Sequence, residues 1–162
     1  MGPEQKQPTL AFDEDMIMLG MNAGDDQEAL MQLSECLLQK EYVKDTFVNG
    51  VIERENHYPT GLQTTSVGVA IPHTSPSHVV QESLAIGVLN NPVAFRRMDT
   101  GDPMEVSVLF MLAISNPDKQ LQMLQQVMGM LREQTVLNKI AQAASAKDVI
   151  EAVQPFIPDV SL

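Results

Sequence analysis

Chemistry has few places to reside in this chain. Its 162 residues include three histidines, His57, His73 and His78, and a single cysteine, Cys36. His57 falls in the polar turn "NHYPTGL", marked by Pro59 and Gly61, and His78 falls in "TSPSH". His73 is placed differently, closing the apolar run "VGVAIPH" directly after Pro72. If "VGVAI" is a strand, Val67, Val69 and Ile71 share a face, and His73 continues that parity onto the rim. Pro72 has no N–H to give to a ladder, so pairing weakens there and the imidazole is free to face a cleft. A rim imidazole that is neutral near physiological pH suits a nucleophile or an acid–base group. On the residues alone, a packed structural histidine stands beside that reading.

Other chemistries find less support. His73 and His78 fit no closed zinc ligand set, and Cys36 lies far away on a helical stretch, so no metal is expected. The Gly-x-Ser-x-Gly turn of a hydrolase, the Gly-x-Gly-x-x-Gly fingerprint and the Walker loop are absent from the sequence, so no nucleotide or other cofactor is expected. Lone Cys36 excludes an intrachain disulfide, fits a reducing compartment and reads as a small core residue. A net charge of -11 sets the surface against nucleic-acid phosphates. The opening residues lack the basic start and apolar segment of a secretory signal, and no stretch approaches the roughly 20 apolar residues of a membrane helix. A soluble cytoplasmic protein without membrane insertion is the expectation.

The elements that must position these groups follow from periodicity. Residues 1–9, with two prolines, are expected to be a flexible lead-in to one domain spanning 10–162. "DDQEALMQLSECLLQK" predicts a helix capped by Asp26, with Leu30, Leu33 and Leu37 at helical spacing. "KDTFVNGVIERE" predicts a second helix, with Phe47 and Val51 inward, closing near Arg54 and Glu55. "VGVAI", "SLAIGVL" and "VSVLFMLAI" predict strands, the last apolar enough to be covered on both faces, and "PVAF" predicts an edge strand. "NPDKQLQMLQQVMGMLREQ" predicts a helix capped by Asn116, with Pro117 first and a stripe of Leu121, Leu124, Met128 and Leu131. A last helix starts at Ser145 and stops at Pro155. This order implies an α/β domain, a mixed β-sheet flanked on both faces by α-helices.

Three stretches taken together point to a family: "RENHYPTGL" (54–62), "VGVAIPHT" (67–74) and "VLFMLAI" followed by "KQLQMLQQV". They resemble the fructose/mannitol-type enzyme IIA family of the bacterial phosphoenolpyruvate-dependent sugar phosphotransferase system. Pro-Thr-Gly-Leu followed by Ala-Ile-Pro-His is most similar to the galactitol-type branch. The resemblance covers roughly residues 10–155 and implies a mannitol-type enzyme IIA sandwich. It also implies that His73 accepts a phosphoryl group from phosphorylated HPr as a tele-phosphohistidine. His73 would then pass the group to a cysteine of a cognate enzyme IIB, feeding the IIB/IIC transporter of a sugar or polyol, with no cofactor.

Arg54 matches the family arginine near the active histidine, and its planar donors suit phosphoryl oxygens. The alternative for this residue is a helix-terminal cation near the last carbonyls. Many mannitol and fructose members carry a second histidine where this chain has Gln120, which falls in the first turn of a helix. An amide there can orient a phosphoryl group or an imidazole but cannot carry charge. The other reading of the resemblance is a regulatory enzyme IIA paralogue that acts through phosphorylation-dependent protein interaction.

Overall fold

A computed structural model describes residues 10–157 and 160–161; the expected lead-in over residues 1–9 lies outside the described residues. Two long strands form the centre, β5 (Ser83–Arg96) and β6 (Pro103–Ala113), paired antiparallel. The stretches "SLAIGVL" and "PVAF" are therefore one strand, not a strand and a separate edge. The ladder register shifts between Val88 and Val93, where Asn90, Asn91 and Pro92 leave the pairing, as expected of a proline inside a sheet. On the far side of β6 lies β4 (Gly68–Ala70), parallel to it, and then β3 (Leu62–Gln63), antiparallel to β4.

Two strands that periodicity missed, β1 (Leu10–Ala11) and β2 (Ile17–Met21), run parallel along the other side of β5. A 3-10 turn over Glu14–Met16 separates them. With β7 (Val160–Ser161) beside β1, the described sheet has seven strands. "IMLGM" shows neither strict alternation nor β-branching beyond Ile17, and Gly20 at φ 69 interrupts it.

Residues directly opposite one another in an antiparallel pair share a face. Ala85 and Met111 therefore face the same way as Gly87 and Leu109. Helix α1 (Asp26–Gln39) lies there, with Leu33 beside Gly87 and the Ser34 hydroxyl donating to Met111 Sδ at 3.6 Å. The alternate residues Leu84, Ile86, Phe110 and Leu112 are fully buried as well, so the second face is also covered. There α3 (Pro117–Leu131) and α4 (Gln134–Ala141) pack against β6, and α5 (Ala146–Val153) packs against β2. Each fully buried Leu, Ile or Phe contributes about 1.5–3 kcal/mol. Such double-sided burial explains why "VSVLFMLAI" is apolar at nearly every position.

Several local expectations need correction. The cap of α1 is Asp25, whose carboxylate accepts from Glu28 N–H at 2.8 Å, and Asp26 is the first helical residue. Glu28 Oε1 reaches back to Gly24 N–H at 2.7 Å, so two adjacent acids offered a cap and the reciprocal bond selected the earlier one. The buried face of α3 is Met123, Val127, Met130 and Leu131, with Leu124 and Met128 of the expected stripe packed at its margin and Leu121 60% exposed. Two methionines, Met123 and Met130, supply half of that buried face. Helix α4 was not anticipated at all. Asn116 with Pro117, and Ser145 with Asp148, do cap α3 and α5.

Candidate functional site

The second helix, α2 (Phe47–His57), runs past Arg54 to His57, which is the last helical residue and not part of a turn. Phe47, Val51 and Glu55 form its buried side. Arg54 is therefore exposed, and its guanidinium lies 4.9 Å from the centre of the Tyr58 ring, a cation–π contact that limits its wandering. Gly50 sits where α2 meets the loop after β4. A Cβ there would lie 3.2 Å from both His78 Nε2 and Thr74 Oγ1, so a small residue lets helix and loop approach.

His73 opens that loop. The regular ladder of β4 ends at Ala70, two residues before Pro72, because the Ile71 N–H is diverted to Thr60 Oγ1 at 3.0 Å. Pro72 nevertheless touches β6, its carbonyl accepting from Leu112 N–H at 3.1 Å. Between these two anchors the Ile71 carbonyl accepts from His73 Nδ1 at 2.8 Å. A carbonyl can only accept, so Nδ1 carries the proton and the neutral ring keeps its lone pair on Nε2. That leaves Nε2 as the ring nitrogen with an available lone pair.

Burial is the main force on the His73 titration and pushes it below the ordinary imidazole value; the Ile71 bond opposes this, and the nearby Arg54 charge adds to the lowering. The sign has two consequences. The neutral ring persists below the usual imidazole range, so an NMR titration of the His73 ring is expected to give a midpoint under about 6.5. A midpoint at or above that value would contradict the geometry. Because the unfolded chain takes up this proton first, the site's contribution to stability is complete above about pH 6.5. It is lost as pH falls through the folded midpoint.

Beside His73 an open groove of about 310 Å³ is lined by Arg54 and His57 from α2, by Tyr58 at its C-terminal cap, and by Thr74, Ser75 and His78 from the loop. His78 is tied down through Nδ1 to Thr46 Oγ1 at 2.8 Å. His57 donates Nδ1–H to the Glu53 carbonyl at 3.0 Å within its own helix. Across the loop, Gln120 Nε2 donates to the Thr74 carbonyl at 3.0 Å. The start of α3 that carries Gln120 is itself anchored, because buried Glu82 accepts from the Ser115 hydroxyl at 2.8 Å.

The first turn of a helix ordinarily leaves N–H groups free for an anion, but at the start of α3 they are occupied. Asp118 N–H and Lys119 N–H both bond Asn116 Oδ1, and Gln120 N–H bonds the Asn116 carbonyl. The structure thus brings His73, Arg54 and Gln120 around one loop, and Gln120 reaches it as a fastener of the backbone. Cys36 is half-buried in α1, and burial raises its thiol pKa, which disfavours a reactive thiolate. The sequence reading passed over Glu55 and Thr60. A glutamate on the inward face of a helix, in phase with Phe47 and Val51, was the available signal.

The fold is a mixed α/β sandwich in which a half-buried imidazole, bonded through Nδ1 to a backbone carbonyl, lies near an arginine. Residues 11–155 match the family "Phosphoenolpyruvate-dependent sugar phosphotransferase system, EIIA 2", and the chain belongs to that family. Among curated relatives, the galactitol-specific EIIA component of Escherichia coli is 28% identical over 121 residues, covering 75% of this chain and 81% of that protein. The transcriptional regulator ManR of Bacillus subtilis is 28% identical over 106 residues, covering 65% of this chain and 15% of that protein. Among solved structures, enzyme IIA of the mannitol system of Escherichia coli, in its complex with phosphorylated enzyme IIB, matches at a TM-score of 0.76 and 20% identity. The match covers 90% of this chain and 99% of that one, and it supports the fold. The chain is accordingly a phosphotransferase-system IIA domain. No helix among the described residues is long and apolar enough to cross a membrane.

Proposed function

We propose that this domain carries a phosphoryl group on Nε2 of His73, taking it from phosphorylated HPr and giving it to a cysteine of a cognate enzyme IIB. The single observation that supports this most is the Nδ1–H bond to the Ile71 carbonyl, which leaves Nε2 unprotonated. In the first half-reaction the Nε2 lone pair forms the new N–P bond as the donor's N–P bond breaks, its electron pair returning to the donor imidazole. His73 keeps its Nδ1 proton throughout, and the Ile71 carbonyl accepts more strongly as the ring becomes electron-poor. In the second half-reaction a thiolate of the IIB partner attacks phosphorus and the Nε2–P bond breaks. Neither step requires a metal or cofactor, because the donor is already activated and the work is alignment and charge stabilisation.

Arg54 supplies the charge. Its donors face the same groove, and a guanidinium binds phosphoryl oxygens in pairs. Arg54→Ala is expected to leave a folded protein, since the side chain is exposed, and to slow phosphoryl acceptance by about 10²-fold. Rapid-quench transfer at the wild-type rate would reduce Arg54 to a partner for Tyr58. Gln120 holds Thr74 with one amide hydrogen and offers the other to a phosphoryl oxygen. Tyr58 and Leu121, both largely exposed on the elements that carry Arg54 and Gln120, fit an apolar rim for a transient partner.

Similarity to the galactitol-specific component favours a sugar or polyol such as galactitol as the transported substrate. Similarity to a transcriptional regulator keeps a regulatory paralogue as the second reading. Reconstitution with phosphoenolpyruvate, enzyme I and HPr, followed by addition of a IIB domain, separates them. Onward transfer to the IIB cysteine is expected for the carrier, and a phosphorylated protein that passes nothing on supports the regulator.

A further inference from the structure

Glu55 is 4% exposed on α2, yet it is a carboxylate, and burial drives its pKa upward. Placing such a group in the interior is unfavourable unless its oxygens are satisfied. Both are satisfied by one residue: Thr60 N–H donates to Oε2 at 2.7 Å and the Thr60 hydroxyl to Oε1 at 2.9 Å. The hydroxyl proton is thereby committed to Glu55, so Thr60 Oγ1 presents a lone pair, which the Ile71 N–H takes at 3.0 Å. Thr60 and Ile71 are 5% and 1% exposed, so water does not compete along this chain of bonds. The turn bearing Thr60 is held from outside too, because Gly61 N–H donates to the Arg96 carbonyl and Met98 N–H to the Gly61 carbonyl.

The Ile71–Pro72 segment is thus clamped on both sides, by Thr60 at the Ile71 nitrogen and by Leu112 at the Pro72 carbonyl. Its one remaining carbonyl, that of Ile71, is the group that takes Nδ1–H of His73. We infer that Glu55 and Thr60 are positioning residues for the phosphoryl carrier, fixing the Ile71 carbonyl so that His73 is held as its Nδ1–H tautomer with Nε2 aimed outward. This rests on the proposed role of His73, and it gives adjacent residues of α2 complementary duties. Arg54 meets the phosphoryl group, while Glu55 sets the imidazole that carries it. The action is mechanical, because the groups acting on the His73 titration are the Ile71 bond and the Arg54 charge, not the Glu55 carboxylate.

Thr60→Val keeps the side-chain shape and removes the hydroxyl; Thr60→Ser restores it, and Glu55→Gln keeps volume while removing the charge. Long-range proton–nitrogen NMR on the unphosphorylated proteins reads the His73 tautomer directly. The wild type and Thr60→Ser are expected to show Nδ1–H alone, whereas Thr60→Val and Glu55→Gln show a mixture of tautomers. In transfer from phosphorylated HPr, Thr60→Val is expected to lose at least tenfold in kcat with KM within about twofold, and Thr60→Ser to recover most of the loss.

A wild-type ring protonated on Nε2 would overturn the inference even if neither altered protein folded. So would a folded Thr60→Val that retains the Nδ1–H tautomer and the wild-type kcat. Absence of label on wild-type His73 would instead refute the carrier reading, and the tautomer measurement would still decide the positioning.

Discussion

His73→Ala is expected to accept no phosphoryl group when incubated with phosphoenolpyruvate, enzyme I and HPr, whereas the wild type gains one acid-labile group by intact mass. The loss is complete because neither histidine lining the adjacent groove matches His73. His78 is fastened to Thr46 and packed against Gly50, and His57 sits exposed at the end of α2, bonded to the Glu53 carbonyl of its own helix. Both have an occupied Nδ1, so tautomer alone does not single out His73. Placement does: His73 directly follows the Ile71–Pro72 segment held between Thr60 and Leu112, and the Arg54 charge lies nearby. The variant should remain folded, since His73 contributes a bond to a single carbonyl and lies outside the described hydrophobic core. Retention of label in His73→Ala would move the carrier to His57 or His78.

Gly68→Ala is expected to be the most destabilising single-methyl change in the sheet. A Cβ at Gly68 would lie 1.9 Å from the Glu105 carbonyl oxygen and 2.9 Å from Met104 Cε. The methionine tip can move; the backbone oxygen belongs to β6 and cannot without breaking the β4–β6 ladder. Overpacking of this kind costs about 1–3 kcal/mol or more, which for a domain of this size lowers Tm by about 2–12 °C, and the fixed backbone oxygen puts this site at the upper end. Because β4 leads directly into Ile71 and His73, transfer should fall as well, beyond what the folded fraction explains. A Tm within about 2 °C of wild type would show that the close approach of the two strands is not required.

Much of this architecture is legible in the residues, and the failures have physical causes. The long strands announce themselves because double-sided burial leaves "VSVLFMLAI" without a polar face, and α3 and α5 announce their starts through Asn116-Pro117 and Ser145. Strands β1 and β2 were hidden because they pair with a strand some seventy residues away, a partnership that local periodicity does not record. His73 was legible through its place after Pro72, although the strand ends earlier than proline alone implied. What ends it is Thr60, which captures the Ile71 N–H from a turn eleven residues upstream in sequence. Gln120 shows the same limit. Its position in the first turn of α3 was readable, but the commitment of the helix amides to Asn116, and of the Gln120 amide to Thr74, is three-dimensional.

The most direct test of the account is nitrogen–phosphorus NMR of the phosphorylated, nitrogen-labelled protein under neutral or basic conditions, because it reads both the residue and the ring atom. The prediction is a single phosphohistidine at His73, with phosphorus bonded to Nε2 and the Nδ1 proton retained by the Ile71 carbonyl. Phosphorus on Nδ1 of His73, or on either ring nitrogen of His57 or His78, would contradict it.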